Sequence, residues 1–205
     1  MPSEPAGPSE LAGPAAPAAL DAGLLQPVSA GHDAPVSDAA VLDALVAAEI
    51  ALVRAFAALG VAPADVAEGL SARFGWRGPG AGCHGHGLDP AALAAAGVAG
   101  GNPVIPLAAA LRRAAPEPLR PWLHRGATSQ DILDSALMLV AHGASARVLR
   151  ELDAAAADLD ALAAARRDQP AAARTLGQQA VPTTVGLRAA GWLAGVDRAR
   201  ARLAA

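Results

Sequence analysis

The sequence contains no lysine and no tyrosine, and its single cysteine is Cys83. One cysteine excludes a disulfide within the chain and fits a reducing compartment. The formal net charge of −3 shows no basic excess, which argues against a general nucleic-acid-binding surface. Apart from histidine, all basic side chains are arginine. The planar arginine fork suits bidentate binding of carboxylates, but a genome-wide composition bias explains this usage equally well.

Aromatic residues make up only 2% of the chain, whereas alanine supplies most of the apolar residues. Alanine favours helix and lets helices approach closely, but it adds little volume to a core. The composition therefore predicts an all-α protein with closely packed helices.

Long hydrophobic runs without charges are also missing. The longest apolar stretch, residues 39–62, is interrupted by Asp43, Glu49 and Arg54, which favours a core helix over a membrane span. Residues 1–30 are rich in Pro, Ala, Gly and Ser and lack a basic start, which favours a flexible tail over a signal peptide. We expect a soluble, cytoplasmic protein that binds neither a membrane nor nucleic acid.

Helix start and stop signals divide the next part of the chain. They predict four helices, which begin after Ser37, at Pro63, after Asp89 and after Asn102. These helices are predicted to end before Gly60, near Phe74, at Gly97 and before Pro116. A flexible glycine-rich loop is expected over residues 75–87.

Apolar residues then recur at helical spacing from Ser129 to about Arg167. About 39 residues at ~1.5 Å each give a rod of ~58 Å. Pro170 ends this rod, and a further helix runs from about Thr184 to Ala205 without a stop signal. Two long helices alone cannot bury their apolar faces, so we expect the chain to break off within a helical bundle.

The predicted organisation has three parts. Residues 1–30 form the tail, residues 31–123 an N-terminal helical domain, and residues 124–205 the incomplete start of a central bundle of long helices.

The segment at residues 124–131, HRGATSQD, places a glycine, two hydroxyls, an amide and a carboxylate where the rod begins. Thr128 and Asp131 have the spacing of a capping box. Such a helix start presents unpaired N–H groups and the positive end of the helix dipole, which suit a carboxylate or a phosphate. Judged by its spacing alone, however, the segment is more simply an ordinary N-cap.

Three polar clusters lie at helix ends, at residues 101–103, 124–131 and 174–184. Each by itself is a cap or a turn, but together they make a candidate anion site built from separated segments. The segment from Cys83 to His86 resembles half of a zinc site, yet no second pair of ligands exists, so we expect no metal. No nucleophile elbow, phosphate loop or dinucleotide fingerprint occurs, and we expect no cofactor.

The motif HRGATSQDILDSALML resembles the HxGATSQDxxDT segment of the fumarase/aspartase superfamily. GNPVIPL and ARTLGQQAVPTTVGLRAAGWL are similar to two other segments of its 3-carboxy-cis,cis-muconate cycloisomerase branch, and the opening from LLQPVSAGHD follows the same branch. The likeness covers roughly residues 24–205. It identifies the chain as a member of this superfamily, represented by an N-terminal portion.

The resemblance implies an all-α fold, with an N-terminal helical domain followed by the first long helices of a central bundle. It also implies homotetramers whose active sites combine segments of three chains. The implied reaction is the reversible cyclisation of 3-carboxy-cis,cis-muconate, a small tricarboxylate, to its lactone within protocatechuate breakdown by the β-ketoadipate pathway. The intermediate has enolate character, so donors around one carboxylate should contribute much of the catalysis. The family's substrate contacts match Asn102, Thr128, Ser129, Gln130, Thr175 and Gln178, and Arg174 is expected to hold the loop or offset substrate charge.

Two departures from the family pattern limit this interpretation. Leu176 stands where related lyases often carry an acid–base histidine, which favours the cycloisomerase branch. The signature loop GSSxMPxKxNP, which supplies the catalytic base, requires a lysine, and this chain has none. We therefore expect the catalytic serine beyond residue 205 and no activity from this chain alone. Two alternatives stay open: a fumarate-releasing lyase similar to adenylosuccinate lyase, and a non-catalytic helical remnant that binds dicarboxylates or pairs with a larger homologue.

Overall fold

The computed structural model describes Leu25, Val28 and residues 31–205. Apart from those first two residues, the tail predicted over residues 1–30 lies outside the described part of the chain. Pro35–Ala205 form one compact unit, which contains all described α-helices and β-strands. The boundary between residues 123 and 124 stays a prediction.

Most of the described chain is helical, as the composition predicts. The α-helices are α1 (Asp38–Ala58), α2 (Ala64–Phe74), α3 (Pro90–Gly97), α4 (Val104–Ala114), α5 (Ser129–Ala165) and α6 (Val185–Ala204). Short 3-10 helices occupy Ala34–Val36 and Glu117–Trp122. The strands β1 (Pro170–Thr175) and β2 (Gln178–Thr184) form an antiparallel hairpin between α5 and α6.

The core lies between α1, α2, α4 and the first turns of α5. Helix α1 begins as predicted, because the Ser37 side chain accepts a hydrogen bond from the Ala40 N–H at 3.3 Å. One face of α1 is almost completely buried, and residues of α2, α4 and the α4–α5 connection pack against it. The side chains with no exposed surface include those of Val46, Ile50, Val53, Leu70, Phe74, Leu107, Leu111 and Leu123.

The glycine-rich loop is anchored on α1 rather than loosely attached. Asp43 accepts hydrogen bonds from both loop histidines, at 2.6 Å from His84 Nδ1 and 2.9 Å from His86 Nε2. Gly75 begins the loop at φ +68°, and a Cβ there would lie 1.8 Å from the carbonyl oxygen of His84. Within the described residues, no group of three or more His, Cys, Asp and Glu side chains is placed to hold a metal ion.

Burial raises the pKa of the Cys83 thiol to about 12, and the charge of Asp43 adds to the effect. The thiol itself is buried. Cys83 is therefore a neutral packing residue of the loop.

Helix α5 is the long rod that the apolar pattern predicts. Its 37 residues span about 55 Å. Its first turns pack on α1, and α6 packs antiparallel against its C-terminal half, where the Arg200 Nε donates to Asp153 Oδ1 at 2.7 Å. In the described part of the chain, α5 is the one helix long and apolar enough to cross a membrane, a property shared by core helices of soluble proteins.

The β-hairpin is the element that the sequence pattern does not predict. Pro170 pairs with Thr184 and Thr175 with Gln178, and the register shifts between Ala172 and Arg174. The turn lies at Leu176-Gly177, where Gly177 has φ +70°. Only glycine adopts this backbone conformation without strain, which permits the tight two-residue connection.

Candidate active site

The start of α5 has the capping box that its spacing predicts. The Thr128 N–H donates to Asp131 Oδ2 at 2.8 Å, and the Asp131 N–H donates to Thr128 Oγ1 at 3.4 Å. The backbone and side-chain hydrogen bonds from Thr128, followed by the nearby His124, lower the pKa of the Asp131 carboxyl. Asp131 is thereby kept ionised and fixes the loop that precedes the helix.

Three of the predicted site residues lie together at this helix start. Thr128 and Gln130 are exposed and Ser129 is half-buried. Gln130 Nε2 donates to Asp134 Oδ1 at 2.6 Å, one turn further along the helix. The first N–H groups of an α-helix have no intrahelical acceptor, so those of Ser129 and Gln130 are directed beyond the helix end. This surface can bind a carboxylate.

A buried carboxylate lies directly behind this segment. Glu49 on α1 has no exposed surface. Its Oε2 accepts the His124 backbone N–H at 2.9 Å, and its Oε1 lies 2.6 Å from His124 Nδ1. His124 itself has φ +53°, and among the described non-glycine residues it is the one with positive φ.

The sequence-based prediction of the site missed Glu49. The signal was present, because the carboxylate lies on the apolar face of α1 between Leu45 and Val53 and therefore has to be buried. A buried carboxylate requires a hydrogen-bonding partner. The partner is 75 residues away in sequence, and spacing alone does not reveal it.

Asn102 precedes α4, as predicted, and is half-buried. Its Oδ1 accepts the Val104 N–H at 2.8 Å. The predicted helix start was placed one residue too early, because Pro103 occupies the cap position and α4 begins at Val104. The capping role of Asn102 is preserved, and its amide N is left for other contacts.

The third predicted cluster lies in the hairpin, although a loop at a helix end was expected. Arg174, Thr175 and Gln178 are all exposed, and Leu176 at the turn is 99% exposed. A cleft of about 630 Å³ runs along the hairpin beside α6. Its lining residues are Ala171, Ala172, Ala173, Arg174, Thr183 and Arg188.

A second cavity, of about 570 Å³, lies between α1, the glycine-rich loop and α5. Five of its twelve lining residues are alanine, and the others include Arg54, Trp76 and Ser135. None of the seven predicted site residues lines this cavity. This cavity is therefore separate from the predicted site residues.

A single chain does not bring the predicted residues together. Thr128–Gln130 begin α5, whereas the hairpin follows its other end, about 55 Å away. The strands of the hairpin are about 20 Å long, too short to return over that distance. The two polar segments can share a site only when they belong to different chains.

The fold and the site define a class of protein: a helical protein with a rod-like central helix and polar segments near both of its ends. The Lyase family model matches residues 104–205 of the chain, which include α4, α5, the hairpin and α6.

Similar proteins agree with this match. A nitrosuccinate lyase of Streptomyces davaonensis is 47% identical over 92% of this chain, which covers 39% of that protein. A 3-carboxy-cis,cis-muconate cycloisomerase of Pseudomonas aeruginosa is 38% identical over 82% of this chain and 35% of its own length. The crystal structure of the β-carboxy-cis,cis-muconate cycloisomerase of Acinetobacter calcoaceticus superposes with a TM-score of 0.72 at 32% identity, over 82% of this chain and 38% of that one.

The chain belongs to the fumarase/aspartase superfamily, a family of lyases and cycloisomerases. It spans between a third and two fifths of the length of these relatives. The resemblance of the sequence to this superfamily, over an N-terminal portion, is confirmed, as is the predominantly helical fold.

Proposed function

We propose that this chain supplies the carboxylate-binding part of a lyase that acts on a substituted succinate. The observation that carries the proposal is the capped start of α5, where Thr128, Ser129 and Gln130 lie together at the surface. Backbone N–H groups, the Ser129 hydroxyl and the Gln130 amide at the positive end of a helix dipole are suitable donors for a carboxylate. The Thr128 hydroxyl already donates to Asp131 Oδ2 and holds the cap in place. Membership of the lyase superfamily supports the reaction class.

In this reaction, a base removes the proton from the carbon beside one carboxylate, and the electron pair moves onto that carboxylate. The C=C bond of fumarate then forms while the bond to the substituent breaks, and the substituent leaves with its electron pair. Negative charge on the first carboxylate is greatest in the intermediate. Donors held by Thr128–Gln130 stabilise it there because they are already oriented.

The residue at the hairpin turn favours a leaving group that departs as a stable anion. Leu176 is aliphatic, so it cannot protonate a departing group. A nitro substituent leaves nitrosuccinate as nitrite, which needs no proton, whereas the amine of an adenylosuccinate-type substrate does. Together with the 47% identity to a nitrosuccinate lyase, this makes nitrosuccinate the first substrate to test.

The second candidate is the cycloisomerase reaction, supported by the 38% identical relative and the matching crystal structure. In that reaction, one carboxylate of 3-carboxy-cis,cis-muconate adds to a double bond and a proton is added beside another carboxylate. The reverse step releases a carboxylate, again an anion that needs no proton from position 176. The start of α5 would hold a carboxylate in either reaction.

The active site is completed between chains in this proposal. Because Thr128 and Arg174 lie at opposite ends of α5, the hairpin of one chain has to meet the α5 start of another. The α5–α6 pair also exposes large apolar side chains, as surfaces that pack in an oligomer do. These side chains include Leu137, Met138, Val148, Leu187 and Trp192. A homotetramer located in the cytoplasm fits this arrangement.

Carboxylate binding is tested by NMR on the 205-residue chain, with fumarate as the probe and dimethyl fumarate as the uncharged control. We expect fumarate, and not its ester, to shift the amide signals of Ser129 and Gln130. Ser129→Ala should weaken binding, whereas the matched variant Ser135→Ala, on the same helix, should not. If fumarate leaves the signals of the α5 start unchanged, the proposed site is wrong.

The choice between reactions is tested by turnover. One assay measures the release of nitrite and fumarate from nitrosuccinate, and the other measures the loss of absorbance of 3-carboxy-cis,cis-muconate. Each assay uses this chain alone and this chain mixed with a full-length relative. The relative keeps its catalytic serine but is mutated in the segment that matches the α5 start. We expect activity only in the mixture, with nitrosuccinate preferred. Preference for muconate would establish the cycloisomerase reaction instead. Binding without turnover in every mixture would favour the non-catalytic remnant.

A further inference from the structure

Glu49 is the one acidic side chain with no exposed surface in the described part of the chain. Burial of a carboxylate is costly unless hydrogen bonds compensate the loss of water. Both of its oxygens accept from a single residue, His124, one from the backbone N–H and one from the ring Nδ1. If this position had only to fill the apolar core, a leucine would make the fold at least as stable as the hydrogen-bonded glutamate does.

We propose that Glu49 is a positioning residue that fixes both the backbone and the ring tautomer of His124 at the entrance to the carboxylate site. This inference rests on the proposed function, because it assigns a role to the residue that supports that site. Two features of His124 depend on Glu49, and each has its own geometric basis.

The first feature is the backbone conformation. His124 has φ +53°, which side-chain-bearing residues adopt rarely and only when the surroundings hold them there. The bond from its N–H to Glu49 Oε2 holds the peptide in this orientation. The positive φ turns the chain out of the buried Leu123 and into the exposed segment that ends at Thr128.

The second feature is the position of the ring proton. A carboxylate oxygen only accepts, so the 2.6 Å contact places a proton on His124 Nδ1. In the neutral ring, Nε2 then carries the unshared electron pair, and the ring has an acceptor that faces away from Glu49. His124 lies four residues before the capping residue Thr128. In this proposal, its fixed Nε2 belongs to the same polar surface as Thr128–Gln130.

Asp43 provides a matched control on the same helix. Its carboxylate also binds histidine rings, but it joins two loop histidines and its side chain is 26% exposed. Neither His84 nor His86 lies in the segment that begins α5. Replacing either acid by its amide removes a carboxylate–histidine contact. Only the substitution at Glu49 should affect binding at the candidate site.

Long-range ¹H–¹⁵N NMR of the histidine rings in the 205-residue chain tests the proposal, because it identifies which ring nitrogen carries the proton. Wild-type His124 should be protonated on Nδ1. Glu49→Gln should shift it toward the Nε2–H form, since the amide can donate to Nδ1, whereas Asp43→Asn should leave His124 unchanged. A wild-type His124 protonated mainly on Nε2 would overturn the proposal even if the variant failed to fold. An unchanged tautomer in a folded Glu49→Gln variant would also overturn it.

Fumarate titration of the same samples separates this role from a purely structural one. We expect Glu49→Gln to weaken fumarate binding about tenfold or more with the fold intact, because a misplaced neighbouring group disturbs the donors. Asp43→Asn should bind like the wild type. If the wild type does not bind fumarate at all, the proposed function fails, and the tautomer spectra still decide whether Glu49 positions the ring.

Discussion

The two ends of the long helix α5 have opposite surroundings. Its first turns lie in a complete core, where α1, α2 and α4 leave side chains such as Phe74 and Leu107 with no exposed surface. Further along, α6 is the principal neighbour, and Trp192 and Leu187 stay more than half exposed. The first region has the burial that a stable fold requires, whereas the second leaves large apolar side chains in water. One helix thus joins a well-buried region to the region that, in the proposal above, packs against other chains.

The largest expected effect compares one leucine from each region. Leu107→Ala should lower the free energy of unfolding by about 2–5 kcal/mol, because it removes buried methyl groups and leaves a cavity. Leu187→Ala should change it by no more than about 0.5 kcal/mol in dilute protein, because the side chain is already in water. Urea unfolding followed by circular dichroism measures both. A larger loss for Leu187→Ala that grows with protein concentration would show that an oligomer already covers α6.

Alanine substitutions at two glycines of α6 test how closely α6 packs against the end of α5. Gly186 lies where α6 meets the end of α5, and a Cβ there would be 2.6 Å from Arg167 Cα and 2.7 Å from the Ala163 oxygen. Gly186→Ala should therefore cost about 1–3 kcal/mol through overpacking. Gly191 has open space around the same position, so Gly191→Ala should stabilise the helix by about 0.5–1 kcal/mol. Thermal unfolding of both variants measures the difference, and equal effects would contradict the close contact.

A smaller effect is expected at the cap of α5. Thr128→Ala removes the hydroxyl that accepts the Asp131 N–H and should cost about 1 kcal/mol of stability. Thr128→Ser, which keeps the hydroxyl, is the matched control and should retain most of the stability. Urea unfolding near neutral pH provides the measurement. If Thr128→Ser lost as much stability as Thr128→Ala, the methyl group, and not the hydroxyl, would stabilise this helix start.

The pH dependence of the same cap has a defined sign. The pKa of Asp131 is lowered from its usual 3.8, so its contribution to stability is present above that value and is lost as the pH falls through the lower folded-state pKa. Asp131→Asn should therefore be less stable than the wild type near neutral pH, and the two should converge as the pH falls below 3.8 and through the lowered pKa of Asp131. Unfolding curves recorded from pH 7 to pH 2 measure the difference in unfolding free energy between the two proteins. If that difference stays constant over the range, the ionisation of Asp131 is not its cause.

The smallest effect concerns the loop anchored on α1. The pKa of Cys83, raised to about 12 by burial and by Asp43, leaves almost no thiolate at pH 8. Iodoacetamide should label the native chain slowly and the urea-unfolded chain quickly, as mass spectrometry would show. Asp43→Asn should speed native labelling by releasing the loop and removing a nearby negative charge. Rapid labelling of the native wild type would contradict the buried environment.

The helices could be predicted from the sequence because their signals are local. Ser37 and the Thr128–Asp131 pair cap helices where their spacing predicts, and the apolar period of α5 is long enough to be unambiguous. The hairpin was missed because Arg174–Thr184 has no alternation of apolar and polar residues, and its pairing depends on a turn at Gly177. Local propensity is weak where strand pairing decides the structure.

The candidate site was predicted in its parts but not in its arrangement. Thr128, Ser129 and Gln130 lie together because they are neighbours in sequence. Glu49 was missed because its partner His124 is distant along the chain, and only the folded core brings them into contact. Arg174 and Thr128 do not meet within one chain, because α5 separates them.

Helix α5 is unbroken, so its length fixes the distance between the elements at its two ends. It sets the spacing between the polar segment at its start and the hairpin beyond its end in whole turns of about 5.4 Å. In the site proposed above, an insertion of two turns would leave each segment folded as before but would move the hairpin away from the polar segment that it has to meet in a neighbouring chain. The loops of such a subunit could therefore vary in length, whereas this helix could not.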